Sequence, residues 1–415
     1  MADEKEIIVL KGQQAIDLWL KGKDAWNAWV EKNPVADVSF QGQRFTHNLN
    51  NQNIPSEKYP FAGFNFPDGK TDFSNSQFER ENVYFTGVNF GNGEVSFYRA
   101  KFLKNVFFDA TMFKSGIVLF TGAQFGTGNT SFHAARFGDC KVFFNFTKFG
   151  SGMIDFRELS LGTSEFTFEN SDFNGRAIFS DLNNTGKISA LSFRRSAFEK
   201  SFEISSKESF GIVVDMVGTR TTHQVSLEGL ECTVQTENGS SFAEAGAWLK
   251  KIRVIDPSDI ERLRRLKELA ENNRDHRKAI DFHVMEMQAA RWHESSIADL
   301  LFEFLYQVSS DYGRSEFRTL LSMVICWLGF GFLYSDRATK VLGLWDTVTA
   351  ALKLSGGQMF PFIPNSSNVR EIGAMALYGS EQLPGWLFLG AFAQSLISIV
   401  LLFLLGLALR NRFRV

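Results

Sequence analysis

Phenylalanine recurs at fixed intervals through the first half of the chain. One series advances by twelve residues, with a single step of eleven, and comprises Phe61, Phe73, Phe85, Phe97, Phe108, Phe120, Phe132, Phe144, Phe156 and Phe168. A second series lies five residues behind each member of the first and comprises Phe66, Phe78, Phe90, Phe102, Phe113, Phe125, Phe137, Phe149, Leu161 and Phe173. Because this period is much shorter than that of helical repeats, it predicts a β-solenoid in which equivalent side chains stack along one axis.

A small residue usually stands two places before each second-series position, as at Ser76, Ala100 and Ala135. This pattern of an inward Phe with a small residue two places before it resembles the pentapeptide-repeat proteins. The resemblance implies a right-handed quadrilateral β-helix. The spacing here departs from the family, since it alternates between five and seven residues, and we interpret it as about 24 residues per four-sided coil with glycine-containing corners. The predicted inward core includes Phe73, Phe78, Phe85, Phe90, Phe97, Phe102, Phe120, Phe125, Phe132 and Phe137.

Helices are predicted on both sides of the solenoid, which we expect to cover residues 59–240. Residues 12–33 form an amphipathic pattern that predicts a helical cap within an N-terminal segment 1–58. In a linker of residues 241–310, Ser258 and Glu261 have the spacing of a capping box, and a second apolar stripe follows from Ala279 to Ala289. This pair is similar to a tetratricopeptide unit and would serve as a spacer or as a regulatory or assembly surface.

A third amphipathic helix is predicted just before the C-terminal quarter of the chain. Its apolar positions are Ile297, Leu300, Leu301, Phe304, Leu305 and Val308. The pattern is typical of a helix that lies at a membrane surface, although Asp299 and Glu303 on its polar face favour a protein contact equally.

Two apolar stretches, at about 317–334 and 384–410, predict a transmembrane hairpin within a membrane domain of residues 311–415. Arg314 and Arg318 precede the first stretch, and Arg410, Arg412 and Arg414 close the second. By the positive-inside rule, both flanks are expected in the cytoplasm, which predicts a multi-pass protein of the cell (inner) membrane with cytoplasmic termini. The N-terminus has no uninterrupted apolar core, so we expect no secretory signal.

The segment between the spans, at about 342–361, is predicted to form a short amphipathic helix and a Gly-rich turn. This order resembles the two-helix pore-loop channels, which are usually tetramers, but the Thr-x-Gly-Tyr-Gly potassium filter of that family is absent. The predicted pore-lining residues are Ser355, Gly356, Gly357, Gln358, Gly390, Gln394 and Ser398. The last three share one helical face, and packing with interhelical hydrogen bonds is the alternative explanation for them.

Composition narrows the functional classes. The formal charge of -2 gives no overall case for nucleic acid, and outward lysines such as Lys101 and Lys114 argue against an acidic mimic of DNA. The three cysteines are far apart and predict no disulfide frame. His276, His283 and Glu286 lack the spacing of a metal site, and no catalytic constellation or phosphate loop is present, so we expect no metal, no cofactor and no enzyme activity.

These observations predict a fold with a β-solenoid, a helical linker and a two-span transmembrane hairpin. The leading functional hypothesis is a homo-oligomeric membrane channel, a homotetramer by resemblance, with a cytoplasmic solenoid that acts as sensor or scaffold. The alternative is a membrane-anchored interaction scaffold that does not conduct. The expected partners are the lipid bilayer, other copies of the chain, and a cytoplasmic protein or ligand on the solenoid.

Overall fold

The computed structural model describes residues 8–46, 48–49, 52–53, 61–79, 82–237, 239, 252–291, 293, 297–340, 343–380 and 383–413. The chain divides into two compact units, Met1–His293 and Glu294–Val415. Arg414 and the predicted domain boundaries at residues 58–59 and 240–241 lie outside the described residues.

The first unit is built from short strands. In chain order they are β1 (Val9–Lys11), β2 (Asp37–Ser39), β3 (Arg44–Phe45), β4 (Asn48–Leu49), β5 (Gln52–Asn53), β6 (Thr71–Asp72), β7 (Gln77–Phe78), β8 (Asn82–Tyr84), β9 (Asn89–Phe90), β10 (Val95–Ser96), β11 (Lys101–Phe102), β12 (Asn105–Phe107), β13 (Met112–Leu119), β14 (Gln124–Phe125), β15 (Thr130–Ser131), β16 (Arg136–Phe143), β17 (Lys148–Phe149), β18 (Ile154–Asp155), β19 (Glu165–Thr167), β20 (Asp172–Phe173), β21 (Ala177–Leu182), β22 (Ala190–Ser192), β23 (Ala197–Phe198), β24 (Phe202–Ser206), β25 (Arg220–Thr221) and β26 (Val225–Ser226).

Parallel pairing between successive coils joins most of these strands into the sides of a β-solenoid, whereas β4 and β5 form a separate antiparallel pair. The first side follows the order β1-β2-β6-β10-β13-β16-β19-β22, the second β3-β7-β11-β14-β17-β20-β23-β25, and the third β8-β12-β15-β18-β21-β24-β26. A fourth, narrower side consists of paired residues that include Asn65 with Asn89, Arg136 with Ser160, and Ser160 with Asn183. The solenoid has about 8 turns, which confirms the predicted fold class and is consistent with a pentapeptide-repeat fold.

The phenylalanine ladder forms the axis of this solenoid. The Phe97 ring lies parallel to the rings of Phe73 and Phe120, with 4.9 Å between centroids in both pairs. It meets the Phe85 ring edge-on at 5.2 Å. All ten phenylalanines of the predicted core are at most 4% exposed. Stacked and edge-on contacts of this kind add to the large apolar area that each ring buries.

Each corner after a first-series Phe is a tight turn. Arg99, two residues after Phe97, has a φ of 54°, and the Ala100 amide donates a 3.0 Å hydrogen bond back to the Phe97 carbonyl. Gly87 occupies the matching corner of the preceding side, with a φ of 64°. The residue that closes the turn points inward beside the rings and must be small. Where it is polar it is satisfied, since the Thr111 hydroxyl donates to the carbonyl of Phe85 at 2.7 Å.

Two helices cover the N-terminal end of the solenoid, namely α1 (Gln13–Leu20) and α2 (Lys23–Lys32). The prediction of one helix over residues 12–33 is therefore wrong. Gly22 has a φ of 92°, which ends the helical path and lets the chain turn. Trp26 is 0% exposed and stacks on Phe40 at 5.8 Å, so the cap closes the aromatic core at this end.

A helical hairpin of α3 (Ser258–Asn272) and α4 (His276–Ala290) covers the other end. Leu263, Leu266 and Phe282 belong to the same buried cluster as the phenylalanine ladder. The Asn273 side chain accepts a 2.8 Å hydrogen bond from the Val225 amide of the last strand. The hairpin is thus an integral cap of the solenoid. It buries apolar side chains and hydrogen-bonds to backbone groups that an open end would expose.

The predicted capping box at the start of α3 is wrong. Pro257 occupies the N-cap position and Ser258 is already inside the helix, where the Asp256 carboxylate accepts a 3.0 Å hydrogen bond from the Ser258 amide. Glu261 pairs with Arg194 of the solenoid at 3.4 Å. A tertiary ion pair has therefore replaced the local contact that the sequence spacing predicts.

The second unit is helical and contains α5 (Ile297–Ser310), α6 (Glu316–Asp336), α7 (Leu344–Met359), α8 (Ser366–Tyr378) and α9 (Gly385–Phe413). Helices α6 and α9 match the two predicted spans and are long and apolar enough to cross a membrane. Helix α8 has no counterpart in the sequence prediction. In α5, Phe302 and Leu305 are exposed, whereas Glu303 is 6% exposed and accepts a 3.0 Å hydrogen bond from Tyr312. The predicted polar face of α5 is therefore partly turned inward.

Candidate functional site: a polar network among apolar helices

The predicted pore residues lie where α6, α7, α8 and α9 pack together. Tyr334 of α6, Leu354 of α7, Leu377 of α8 and Leu387 of α9 belong to one buried apolar cluster, and each is at most 1% exposed. Burying a polar side chain in this region therefore costs free energy unless each donor and acceptor has a hydrogen-bond partner.

Gln394 of α9 is the centre of a network that meets this requirement. Its side-chain oxygen accepts a 2.8 Å hydrogen bond from the Tyr334 hydroxyl. Its amide nitrogen donates to the Ser355 carbonyl at 2.9 Å and to the Ser355 hydroxyl at 2.8 Å. All three residues are 0% exposed. One glutamine side chain thus joins three helices.

Further hydrogen bonds extend the network to the fourth helix. The Ser355 hydroxyl donates to the Trp327 carbonyl of α6 at 2.7 Å, and the Trp327 indole donates to the Leu352 carbonyl of α7 at 3.0 Å. The Tyr378 hydroxyl of α8 donates to the Tyr334 carbonyl at 2.8 Å. Because the network uses backbone carbonyls as well as side chains, it fixes the positions of the helices along one another.

The expected Gly-rich turn at residues 355–358 is helical instead, and α7 continues to Met359. Glycine serves close packing here. A Cβ atom on Gly357 would lie 2.8 Å from the Ser366 carbonyl oxygen, and one on Gly373 of α8 would lie 2.8 Å from the Ala350 carbonyl oxygen. Small residues therefore let the backbones of α7 and α8 approach each other, as they do between helices in membranes.

The remaining predicted lining residues have different surroundings. Ser398 is 0% exposed, and its hydroxyl donates to the Gln394 carbonyl one turn earlier at 2.8 Å. Gln358 is 8% exposed, and its side-chain oxygen accepts a 3.2 Å hydrogen bond from Ser395. Gly390 is half-buried, and a Cβ atom on it would lie 3.9 Å from the Leu333 side chain, whereas one on Gly356 would lie 3.4 Å from the Trp327 indole nitrogen. Gln394 therefore makes the interhelical hydrogen bonds that the alternative to pore lining predicts.

Comparison with known families, curated proteins and solved structures gives no match.

The outer surfaces of α6 and α9 contrast with the polar interior. Exposed apolar side chains cover both helices, and the most exposed include Phe317, Phe332, Phe388, Phe392 and Phe403. Glu316 at the start of α6 forms an ion pair with Arg412 at the end of α9, so charged groups lie at the ends of the apolar surface. Both helices are thus long and apolar enough to cross a membrane.

Metal and thiol chemistry find little support in the part of the chain that the structure describes. There, no group of three His, Cys, Asp or Glu side chains is placed to hold a metal ion. The three cysteines are free, and loss of solvent raises the pKa of the Cys232 thiol to about 12 and that of Cys140 to about 11. Both thiols therefore stay protonated at neutral pH, whereas a reactive cysteine needs the thiolate.

Sequence reasoning missed Tyr334, Trp327 and Tyr378, although all three hold the helices together. Tyr334 and Trp327 lie within a predicted span, where an aromatic residue carries no signal of its own. Tyr378 ends α8, and Gly379 follows with a φ of 73°, which is a common helix stop. That glycine was the sequence signal that a further helix precedes it.

Proposed function

We propose that the chain is a membrane-anchored interaction scaffold, in which α6 and α9 hold the protein in the bilayer and the β-solenoid offers the binding surface. The observation that carries this proposal is the burial of Gln394, Ser398 and Ser355, each 0% exposed within a single chain. Gln394 and Ser355 bond to each other across helices, and the Ser398 hydroxyl bonds within its own helix. The surface left for lipid or for other copies is apolar.

A pore lined by this face would have to break the network. Exposing Gln394 to water would separate it from both Tyr334 and Ser355. Buried polar groups in a membrane are tolerated because neighbouring helices satisfy them, and in the arrangement observed here they are satisfied. In the scaffold proposal, the network therefore serves to hold the helices together.

Topology and partners belong to the same proposal. Basic residues flank α6 and α9 at one end, with Arg314 before α6, Arg318 in its first turn, and Arg410 and Arg412 in the last turns of α9. This arrangement supports cytoplasmic placement of both flanks and of the solenoid in the cell (inner) membrane. The solenoid would then bind a cytoplasmic protein or ligand.

A channel is the second candidate, and helix α7 favours it. Its 16 residues span about 24 Å, which is short for a bilayer crossing, and it lies between two longer apolar helices in sequence. A short helix between two spans is the order that predicts a pore. This candidate requires several copies, as a homotetramer, to surround the path of the ion.

Ion flux from liposomes that contain the full-length protein tests both proposals. We expect no flux above that of protein-free liposomes, and no closed ring of subunits after crosslinking in membranes. Flux that Gln394→Leu and Ser398→Leu alter would overturn the scaffold proposal in favour of a pore. Phe392→Leu is the matched control, because Phe392 lies on the same helix but is 64% exposed.

A further inference from the structure

A polar pocket lies on the outside of the solenoid, between its first side and the start of α3. Its volume is about 370 Å³, and five carboxylates line it, from Glu165, Glu169, Asp215, Asp256 and Asp259, together with the guanidinium of Arg262. All of these residues belong to the first unit.

The depression follows from the residues that stack on this side. Glu165 and Thr167 of β19 pair with Ala190 and Ser192 in the next coil. In the preceding coil the same two positions are occupied by Lys141 and Phe143. Large side chains are thus replaced by small ones at the level where α3 begins, which leaves space above the sheet.

The acidic groups of the pocket are only partly neutralised. Arg262 donates to Asp256 at 2.8 Å and to Asp259 at 2.7 Å, and Arg194 donates to Asp215 at 2.9 Å. Among the described residues, these contacts leave Glu165 and Glu169 on the strand side without a bonded guanidinium.

Glu169 accepts a 3.2 Å hydrogen bond from the Ser192 hydroxyl. Glu165 lies 3.8 Å from the Lys141 ammonium, which is 65% exposed and therefore screened by solvent. Burial, together with the neighbouring Asp256 and Asp215, raises the pKa of the Asp259 carboxyl despite its contact with Arg262. The pocket therefore carries an excess of negative charge.

Thr167 provides an independent indication of a ligand. It is the last residue of β19, lies between Glu165 and Glu169 in the sequence, lines the pocket, and is 8% exposed. Its hydroxyl oxygen has no hydrogen-bond partner among the described residues. An unsatisfied buried hydroxyl destabilises the fold, so a ligand that hydrogen-bonds to it gains binding free energy.

We propose that this pocket binds a primary ammonium group, carried by a free polyamine or by a lysine side chain of a peptide. An ammonium offers three donors, which suit the Thr167 oxygen and the two glutamates beside it. Alternate residues of a strand lie about 7 Å apart, so a small cation between Glu165 and Thr167 reaches both. The inference does not depend on the proposed function, since a scaffold and a channel would both use such a site.

Isothermal titration of the full-length protein with spermidine and with an acetylated trilysine peptide tests the proposal and separates the two sources. We expect at least one of them to bind with one site per chain. The double variant Glu165→Gln/Glu169→Gln should weaken binding by about tenfold or more, because it removes both charge-assisted contacts. Thr167→Val should weaken binding by about threefold while leaving the thermal unfolding of the free protein unchanged or slightly higher.

Glu203→Gln is the matched control, since Glu203 pairs with Arg176 on the third side of the solenoid and is 38% exposed. It should change the affinity by less than about twofold. Failure of both ligands to bind at millimolar concentration would overturn the proposal. Equal weakening by Glu203→Gln, or binding of calcium chloride in place of the amines, would overturn it as well.

Discussion

The Tyr334 hydroxyl and the Gln394 side chain form a 2.8 Å hydrogen bond in a place that solvent does not reach. Tyr334 belongs to α6 and Gln394 to α9, the two helices that are long and apolar enough to cross a membrane. The hydrogen bond therefore joins the two proposed spans directly. Since Gln394 also bonds to Ser355, the same side chain positions the short helix α7 between them.

A double-mutant cycle on this pair should reveal the coupling between the helices. Tyr334→Phe and Gln394→Leu each remove the shared hydrogen bond, and we expect the double variant to cost about 1 kcal/mol less than the sum of the single variants. The measurement is the free energy of unfolding of the full-length protein in mixed micelles. Phe392→Leu combined with Tyr334→Phe is the control and should be additive, because Phe392 is exposed. Additivity of both pairs would contradict the proposal that the Tyr334–Gln394 hydrogen bond holds α6 and α9 together.

Substitution of Phe97 should destabilise the solenoid strongly. The ring is 0% exposed and stacks on Phe73 and Phe120, so Phe97→Ala removes a large buried group and leaves a cavity that neighbouring coils fill poorly. We expect a loss of about 3–5 kcal/mol in the free energy of unfolding, measured by chemical denaturation.

Phe146→Ala is the matched control for this prediction, because Phe146 lies in the same solenoid but is 62% exposed. Its substitution should change the free energy of unfolding by less than about 0.5 kcal/mol. Similar losses for Phe97→Ala and Phe146→Ala would show that the inward stack contributes little.

The cap formed by α3 and α4 should lose stability in acid through Glu286. Burial alone would raise the pKa of this carboxyl, but His283, Lys267 and Arg264 outweigh burial and hold it at about 2. The contribution of Glu286 is therefore complete above its unfolded pKa of 4.5 and is lost as the pH falls towards about 2. The shift corresponds to about 3 kcal/mol at neutral pH as an upper value.

Urea unfolding between pH 6 and pH 3 measures this effect. Glu286→Gln should lower the free energy of unfolding at pH 6. It should also reduce the further decrease in that free energy between pH 6 and pH 3. Glu268→Gln is the control, since Glu268 forms a 3.0 Å pair with Arg265 but is 49% exposed. An acid profile of Glu286→Gln that matches the wild-type profile would contradict the assignment.

The solenoid was predictable because its signal is redundant. Positions such as Phe85 and Phe97 repeat the same environment in every coil, so no single residue decides the fold. The break at Gly22 was less visible, because a glycine within an amphipathic pattern is compatible with a continuous helix as well as with a turn. The prediction of a capping box at Ser258 was wrong for another reason. Glu261 pairs with Arg194, which comes close to it only in the folded chain.

The helical unit was predictable in its long apolar segments and less so between them. Gly356 and Gly357 each cost about 1 kcal/mol in a helix relative to alanine, which is why the segment suggests a turn. The close approach of α8, made possible by the absence of side chains at Gly357 and Gly373, compensates for this cost. A single sequence does not reveal this contact, because α8 begins among polar residues, Asn365 and Ser366, that are typical of a loop.

The parallel register of the solenoid also bears on how this chain can evolve. In the middle coils, paired residues lie 23 or 24 positions apart in the sequence, as Val95 pairs with Val118 and Phe113 with Phe137. A duplicated segment of this length can therefore be inserted between two coils, because it would form the same hydrogen bonds and ring contacts as the coils beside it. Each such insertion would lengthen the solenoid by about 4.8 Å and leave both end caps intact, so descendants of this gene can vary the number of coils in whole units.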